Sequence, residues 1–126
     1  MKVSIPDKIK AYTKDDYKKL IGEAIEKVFK KECLIIFFGS INTDRFSRVS
    51  DIDVAIYSKE PVGSCEIVKI TEEIEKLPIL REVDIVDVRK IKDYRFLEKI
   101  VNEGTVWKNM PELMKDLKRL LKSLKK

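Results

Sequence analysis

The chain has 126 residues, carries 27 Lys plus Arg against 22 Asp plus Glu for a net charge of +5, and contains no histidine. Its length fits one domain with a core of useful size, and 44% hydrophobic residues argue against a disordered chain. Without histidine, and with only Cys33 and Cys65, Ser-His-Asp or Cys-His catalysis, imidazole zinc sites and a disulfide framework are excluded.

Thr13 is a helix-cap residue, followed by Asp15 and Asp16 in the first turn, where they complement the helix dipole. Leu20, Ile21, Ala24, Ile25, Val28 and Phe29 then recur at helical spacing, which predicts a helix to about Lys31. Cys33 to Phe38 is a short continuous apolar run, β-branched and aromatic, and reads as a buried strand. Gly39-Ser40 ends it. A polar stretch from Ile41 to Ser50 is expected to hold one short helical turn near Asp44 to Arg48.

Asp51 to Tyr57 alternates as a second strand, with Ile52, Val54 and Ile56 on one face and Asp51, Asp53 and Ala55 on the other. Pro61 and Gly63 mark a turn, and Ser64 is expected to cap a helix whose apolar face is Ile67, Val68, Ile70 and Ile74. Glu82 to Val88 is a third strand, and Asp93 to Glu103 a helix stopped by Gly104. Pro111 starts a last amphipathic helix over about 111–125, with Leu113, Leu117, Leu120, Leu121 and Leu124 on one side. The expected order is helix, strand, strand, helix, strand, helix, helix. It predicts a single α/β (α+β) domain over 1–126, with its core at about 13–107.

Charge adds little. From Pro111 to Lys126 six basic residues face two acidic ones, so that segment alone carries +4 and the rest is nearly balanced. No aromatic-basic reading motif accompanies it, so nucleic acid is not the expected direct ligand. Charged residues reach 39%, and glutamine is absent, a bias found in proteins of hyperthermophiles. MKVSIPDKIK lacks an apolar signal core, and no run of about 20 apolar residues occurs, so a cytoplasmic protein with no membrane association is expected.

The segment that carries chemistry is FFGSINTDRFSRVSDIDVAIY. A strand ends in Gly39-Ser40, ten residues intervene, and Asp51 and Asp53 follow two apart on the next strand. Spacing by two puts both carboxylates on one face, with Cα atoms about 6.6 Å apart. Two divalent ions about 3.5–4 Å apart need such a pair, and oxygen ligands alone favour magnesium or manganese. Asp84 and Asp87, in EVDIVDV, are both available as a third acid, but three residues apart they face opposite sides of a strand. A glycine without Cβ lets backbone N–H groups approach a phosphate chain, and a serine hydroxyl adds a donor. Gly39-Ser40 and Asp51 taken singly read as a turn and a loop cap. Asp53, between Ile52 and Val54, is a carboxylate that a strand interior tolerates only when paired or metal-bound.

This pattern resembles the nucleotidyltransferase superfamily related to DNA polymerase β, whose signature is Gly-Ser followed by Asp-x-Asp on the next strand. The ten-residue gap and small size are most similar to the minimal nucleotidyltransferases, the MNT proteins. The resemblance spans about Glu32 to Trp107, including Val83-Asp84-Ile85, Glu103-Gly104 and Val106-Trp107. It implies the polymerase β-like fold, a mixed sheet backed by helices. It implies that Gly39 and Ser40 contact the triphosphate of ATP or another NTP, and that Asp51, Asp53 and Asp84 hold two Mg2+ ions (or Mn2+) and carry catalysis.

The implied reaction moves a nucleoside monophosphate, AMP from ATP, onto an acceptor hydroxyl. The implied partner is a HEPN-domain toxin encoded nearby, with one of its tyrosines as acceptor, so that the chain is an antitoxin. The alternative is a binding module that neutralises its partner by contact alone. One departure stands out: many MNT proteins carry Arg directly after Gly-Ser and a second Gly soon after, where this chain has Ile41-Asn42-Thr43. Arg45 and Arg48 are candidates for the missing positive charge. Cys33 and Cys65 are expected to be apolar packing residues and Phe96 and Trp107 core or interface residues, base stacking being the lesser alternative, and the last helix either docks a partner or closes this chain's own core.

Overall fold

The computed structural model describes residues 12–47 and 49–125. In chain order the elements are α1 (Lys14–Val28), β1 (Leu34–Phe38), a 3-10 turn (Gly39–Asn42), β2 (Ile52–Tyr57), α2 (Ser64–Glu75), β3 (Val83–Asp87), a second 3-10 turn (Val88–Lys90), α3 (Tyr94–Glu103), β4 (Thr105–Lys108) and α4 (Pro111–Leu124). The sheet order is β3-β2-β1-β4. β1 runs antiparallel to β2 and β4, while β2 and β3 are parallel. A parallel pair cannot be closed by a hairpin, and α2 is the crossover between them.

Position in the sheet explains the apolar run of β1. It is interior, and helices cover both of its faces. Ile35 and Phe37 join Ile21 and Ile25 of α1 and Ile70 and Ile74 of α2 in one core. Leu34, Ile36 and Phe38 join Leu97 and Ile100 of α3 and Leu113 and Leu117 of α4 in the other. Every β1 side chain is therefore buried. The apolar face of α4 closes the protein's own core, and it carries the pairs Lys115–Glu112 and Arg119–Asp116 at i,i+3.

Several expectations are corrected. The helical turn predicted at Asp44 to Arg48 lies instead at Gly39–Asn42, because Ile41 is drawn fully into the core. Arg48 itself lies outside the described residues. Ser64 is the first residue of α2 and not its cap; Gly63 precedes it and donates its N–H to Glu66 Oε1 at 2.9 Å. Val68, placed on the buried face, is 54% exposed. α1 ends at Val28, where Phe29 turns extended and packs into the core.

One element was not foreseen. β4 follows α3 directly and pairs with β1 across a register shift at Ile35/Ile36. At α1, Thr13 Oγ1 accepts from Asp16 N at 3.0 Å, and Asp16 Oδ2 accepts from Thr13 N at 2.9 Å, a reciprocal cap. Among the described residues no helix is long and apolar enough to cross a membrane.

Candidate active site

β1 ends where β2 and β3 begin, so three chain ends meet at one margin of the sheet. The ladder sets a single lateral row there: Phe38 of β1 is opposite Asp53 of β2, and Asp53 is opposite Asp84 of β3. Residues in register point to the same side, so Asp53 and Asp84 stand on adjacent strands about 4.8 Å apart. Asp51 precedes Asp53 by two residues and joins the same face. Asp53 is half-buried, whereas Asp51 and Asp84 are exposed. This is the face covered by α3 and α4 further along, where Ala55 and Tyr57 belong to the core.

Asp84 and Asp87 part company. Asp87 ends β3 on the opposite face, only 6% exposed, and its carboxylate accepts from Val62 N at 3.0 Å and Arg89 N at 3.1 Å. It caps the turn that follows and takes no place in the carboxylate row.

Of the three remaining carboxylates, Asp53 feels the other two. Burial, then the neighbouring Asp84, then Asp51, hold the Asp53 carboxyl above its ordinary value. Among the described residues none of the three has an ion pair or accepts a hydrogen bond from the protein. As placed, no group of three acidic or cysteine side chains is gathered tightly enough to chelate an ion among the described residues. The fit to a divalent cation thus lies in an all-oxygen donor set sharing one face, with no cation ion-paired to it among the described residues. A chelate would form by rotation about side-chain bonds.

Gly39 borders this row. Its φ is +82°, a left-handed conformation that glycine adopts at no steric cost, and a Cβ there would lie 2.5 Å from Asp53 Oδ2. The backbone therefore approaches the carboxylate more closely than a residue with a Cβ would allow. Ser40 follows, half-buried, and its carbonyl accepts from Thr43 N and Thr43 Oγ1, each at 2.9 Å.

The segment Ile41-Asn42-Thr43 has a structural occupation. Ile41 is core, and Asn42 is a fastening whose Nδ2 donates to Phe37 O at 2.8 Å and Glu103 O at 3.2 Å. Its Oδ1 accepts from Thr105 Oγ1 at 2.9 Å. One amide thus ties the glycine turn to β1, the end of α3 and the start of β4. Sequence reasoning missed this residue; its only signal is an amide directly after an apolar residue in a turn. Arg45 is exposed and makes no side-chain bond among the described residues.

Of the other side chains Cys33 and Trp107 are packing residues as expected, whereas Cys65 and Phe96 are exposed, a correction for both. Trp107 lies against Gly22 of α1, where a Cβ would come 2.6 Å from its ring. Phe96 of α3 meets Phe38 edge to face, ring centroids 5.7 Å apart, while remaining 38% exposed. Burial pushes the Cys33 thiol up to about 11, so it is no nucleophile at neutral pH, whereas Cys65 is exposed.

Comparison with known proteins agrees with this fold. Residues 23–113 match the family model described as "Polymerase beta, Nucleotidyltransferase". Among solved structures, a chain from a toxin–antitoxin complex with AMP-PNP superposes with a TM-score of 0.71 at 20% identity, covering 85% of each chain. A chain of the MntA–HepT toxin–antitoxin gives 0.66 at 19% identity, covering 87% of this chain and 85% of that one. A complex of tri-AMPylated Shewanella oneidensis HEPN toxin with MNT antitoxin gives 0.64 at 17%, covering 88% of each. No curated protein matches the sequence.

Proposed function

The chain belongs to the polymerase beta nucleotidyltransferase family, and we propose that it transfers AMP from ATP to a tyrosine hydroxyl of a HEPN-type toxin, acting as that toxin's antitoxin. The observation that carries this reading is the row of Asp53 and Asp84 on adjacent strands, with Asp51 two residues before, beside the left-handed Gly39. Support for the acceptor comes from the neighbours, one of which is an AMPylated HEPN toxin held by an MNT antitoxin. Support for the nucleotide comes from the complex that contains AMP-PNP.

In this reading Asp51, Asp53 and Asp84 would hold two divalent ions, Mg2+ or Mn2+. Ions bound there would supply Lewis-acid activation of the acceptor hydroxyl and neutralise charge on the triphosphate. The protein's own groups do the rest. The Gly39 turn brings backbone N–H groups to the triphosphate without a side chain in the way, and the Ser40 hydroxyl donates to a phosphate oxygen. Positioning and charge stabilisation suffice for displacement at phosphorus, so the lack of histidine is no obstacle. The acceptor oxygen forms a bond to the α-phosphorus as the bond to pyrophosphate breaks, and the hydroxyl proton leaves to solvent.

The test is transfer of label from α-labelled ATP to the protein encoded beside this chain. Label on that partner, dependent on Mg2+ and reduced about 10²–10³-fold by Asp53→Asn, is the expected result. A variant that transfers no label yet protects against the partner as fully as the wild type would show neutralisation by contact instead.

A further inference from the structure

Arg81 lies in the approach to β3, thirty residues after Asp51, yet it touches the segment that leads into Asp51 and β2. Its guanidinium carbon sits 4.1 Å from the centre of the Phe46 ring and 4.8 Å from that of Tyr17. Those two rings meet edge to face at 5.9 Å. From this aromatic seat, Arg81 Nη1 donates to the carbonyl of Ser47 and, at 2.8 Å, to the carbonyl of Ser50. The Ser50 carbonyl belongs to the peptide unit that enters Asp51. The next residue of the same segment, Glu82, accepts from Ile52 N at 3.0 Å. Asp51 is therefore bracketed: the peptide before it is held by Arg81, and the one after it by Glu82.

This matters because the Asp51 carboxylate is exposed and has no hydrogen-bond or ion-pair partner of its own among the described residues. The backbone on either side sets the direction in which its side chain leaves the chain just before β2. A planar guanidinium can stack on a ring and reach two carbonyls at once, which a lysine ammonium cannot reproduce in the same geometry.

We propose that Arg81 is a positioning residue that aims the Asp51 carboxylate into the row formed with Asp53 and Asp84. The inference rests on the reading of that row as a divalent-cation site. Outer partners of metal ligands change affinity or activity by about 10–100-fold when removed, without touching the ion.

The experiment compares wild type, Arg81→Lys and Phe46→Leu; the last weakens the seat while leaving both carbonyls in place. Mn2+ binding to the protein alone is measured by calorimetry, and folding by circular dichroism. With the fold intact, Arg81→Lys is expected to weaken Mn2+ binding roughly tenfold. It should also lower kcat for partner labelling by about the same factor, with KM for ATP little changed. In an Asp51→Asn background the Arg81 substitution should add no further loss of Mn2+ affinity. A folded Arg81→Lys protein with wild-type Mn2+ affinity overturns the proposal, as does an additive loss in the double variant. If the wild type itself binds no Mn2+, the cation-site reading fails. Arg81 is then judged from a crystal structure of Arg81→Lys alone, where an undisplaced Asp51 carboxylate overturns its positioning role and a displaced one supports it.

Discussion

Gly39 and Asp53 occupy one small volume: a methyl group on the first would lie 2.5 Å from the carboxylate of the second. The turn that ends β1 and the carboxylate at the start of β2 are thus a single packed unit. In the proposed function the turn's backbone would meet phosphate and the strand's carboxylate the cation that accompanies it, so a change at either residue reaches both.

Gly39→Ala is expected to damage both stability and function. A φ of +82° strains any residue with a Cβ, by about 1–2 kcal/mol, and the added methyl must displace the Asp53 carboxylate. Chemical denaturation should show the loss. Label transfer should fall about 10²-fold, the scale of an ångström-level misplacement at a reacting centre. An alanine variant with wild-type transfer would mean that the close approach is incidental.

Asp53→Asn is expected to raise the stability of the protein in EDTA. The Asp53 carboxyl is held above its ordinary value of 3.8, so folding favours its protonated form. That contribution is fully present below the unfolded-state value and is lost as pH rises through the higher folded-state value. At neutral pH the ionised side chain therefore opposes folding, and the neutral amide does not. Calorimetry from pH 3 to pH 7 should show a Tm gain on the order of a few degrees at pH 7, shrinking as the solution is acidified. A gain of equal size at both ends would assign it to packing and not to charge.

Asn42→Ala is expected to cost about 1–3 kcal/mol, since it leaves the carbonyls of Phe37 and Glu103 without their side-chain donor. Asn42→Asp should be worse, because a carboxylate would face those same two carbonyls and can donate to neither. Urea midpoints in the order wild type, Ala, Asp check this. The reverse order for the two variants would show that the amide oxygen, bonded to Thr105, is the half that counts.

Much of this protein is legible in one dimension. Alternation over Asp51 to Tyr57 puts two carboxylates on one face whatever the strand pairs with, because the pleat has a period of two. The continuous apolar run of β1 demands cover on both sides, and the structure supplies it with α1 and α2 on one face and α3 and α4 on the other. The missing histidine and scarce cysteine narrow the chemistry before any fold is known.

Tertiary structure decided the rest, because the deciding contacts join residues far apart in the chain. A strand's pattern assigns each side chain a face but not a register, so only the β2–β3 ladder could set Asp84 beside Asp53 and leave Asp87 to cap a turn. β4 is four residues of unremarkable sequence that become a strand by lying along β1. Asn42 and Arg81 look like loop polars until the carbonyls that they hold are brought to them, across 61 and 31 positions of sequence respectively. Local pattern determines which groups a segment presents; the geometry of chain crossing determines which of them meet.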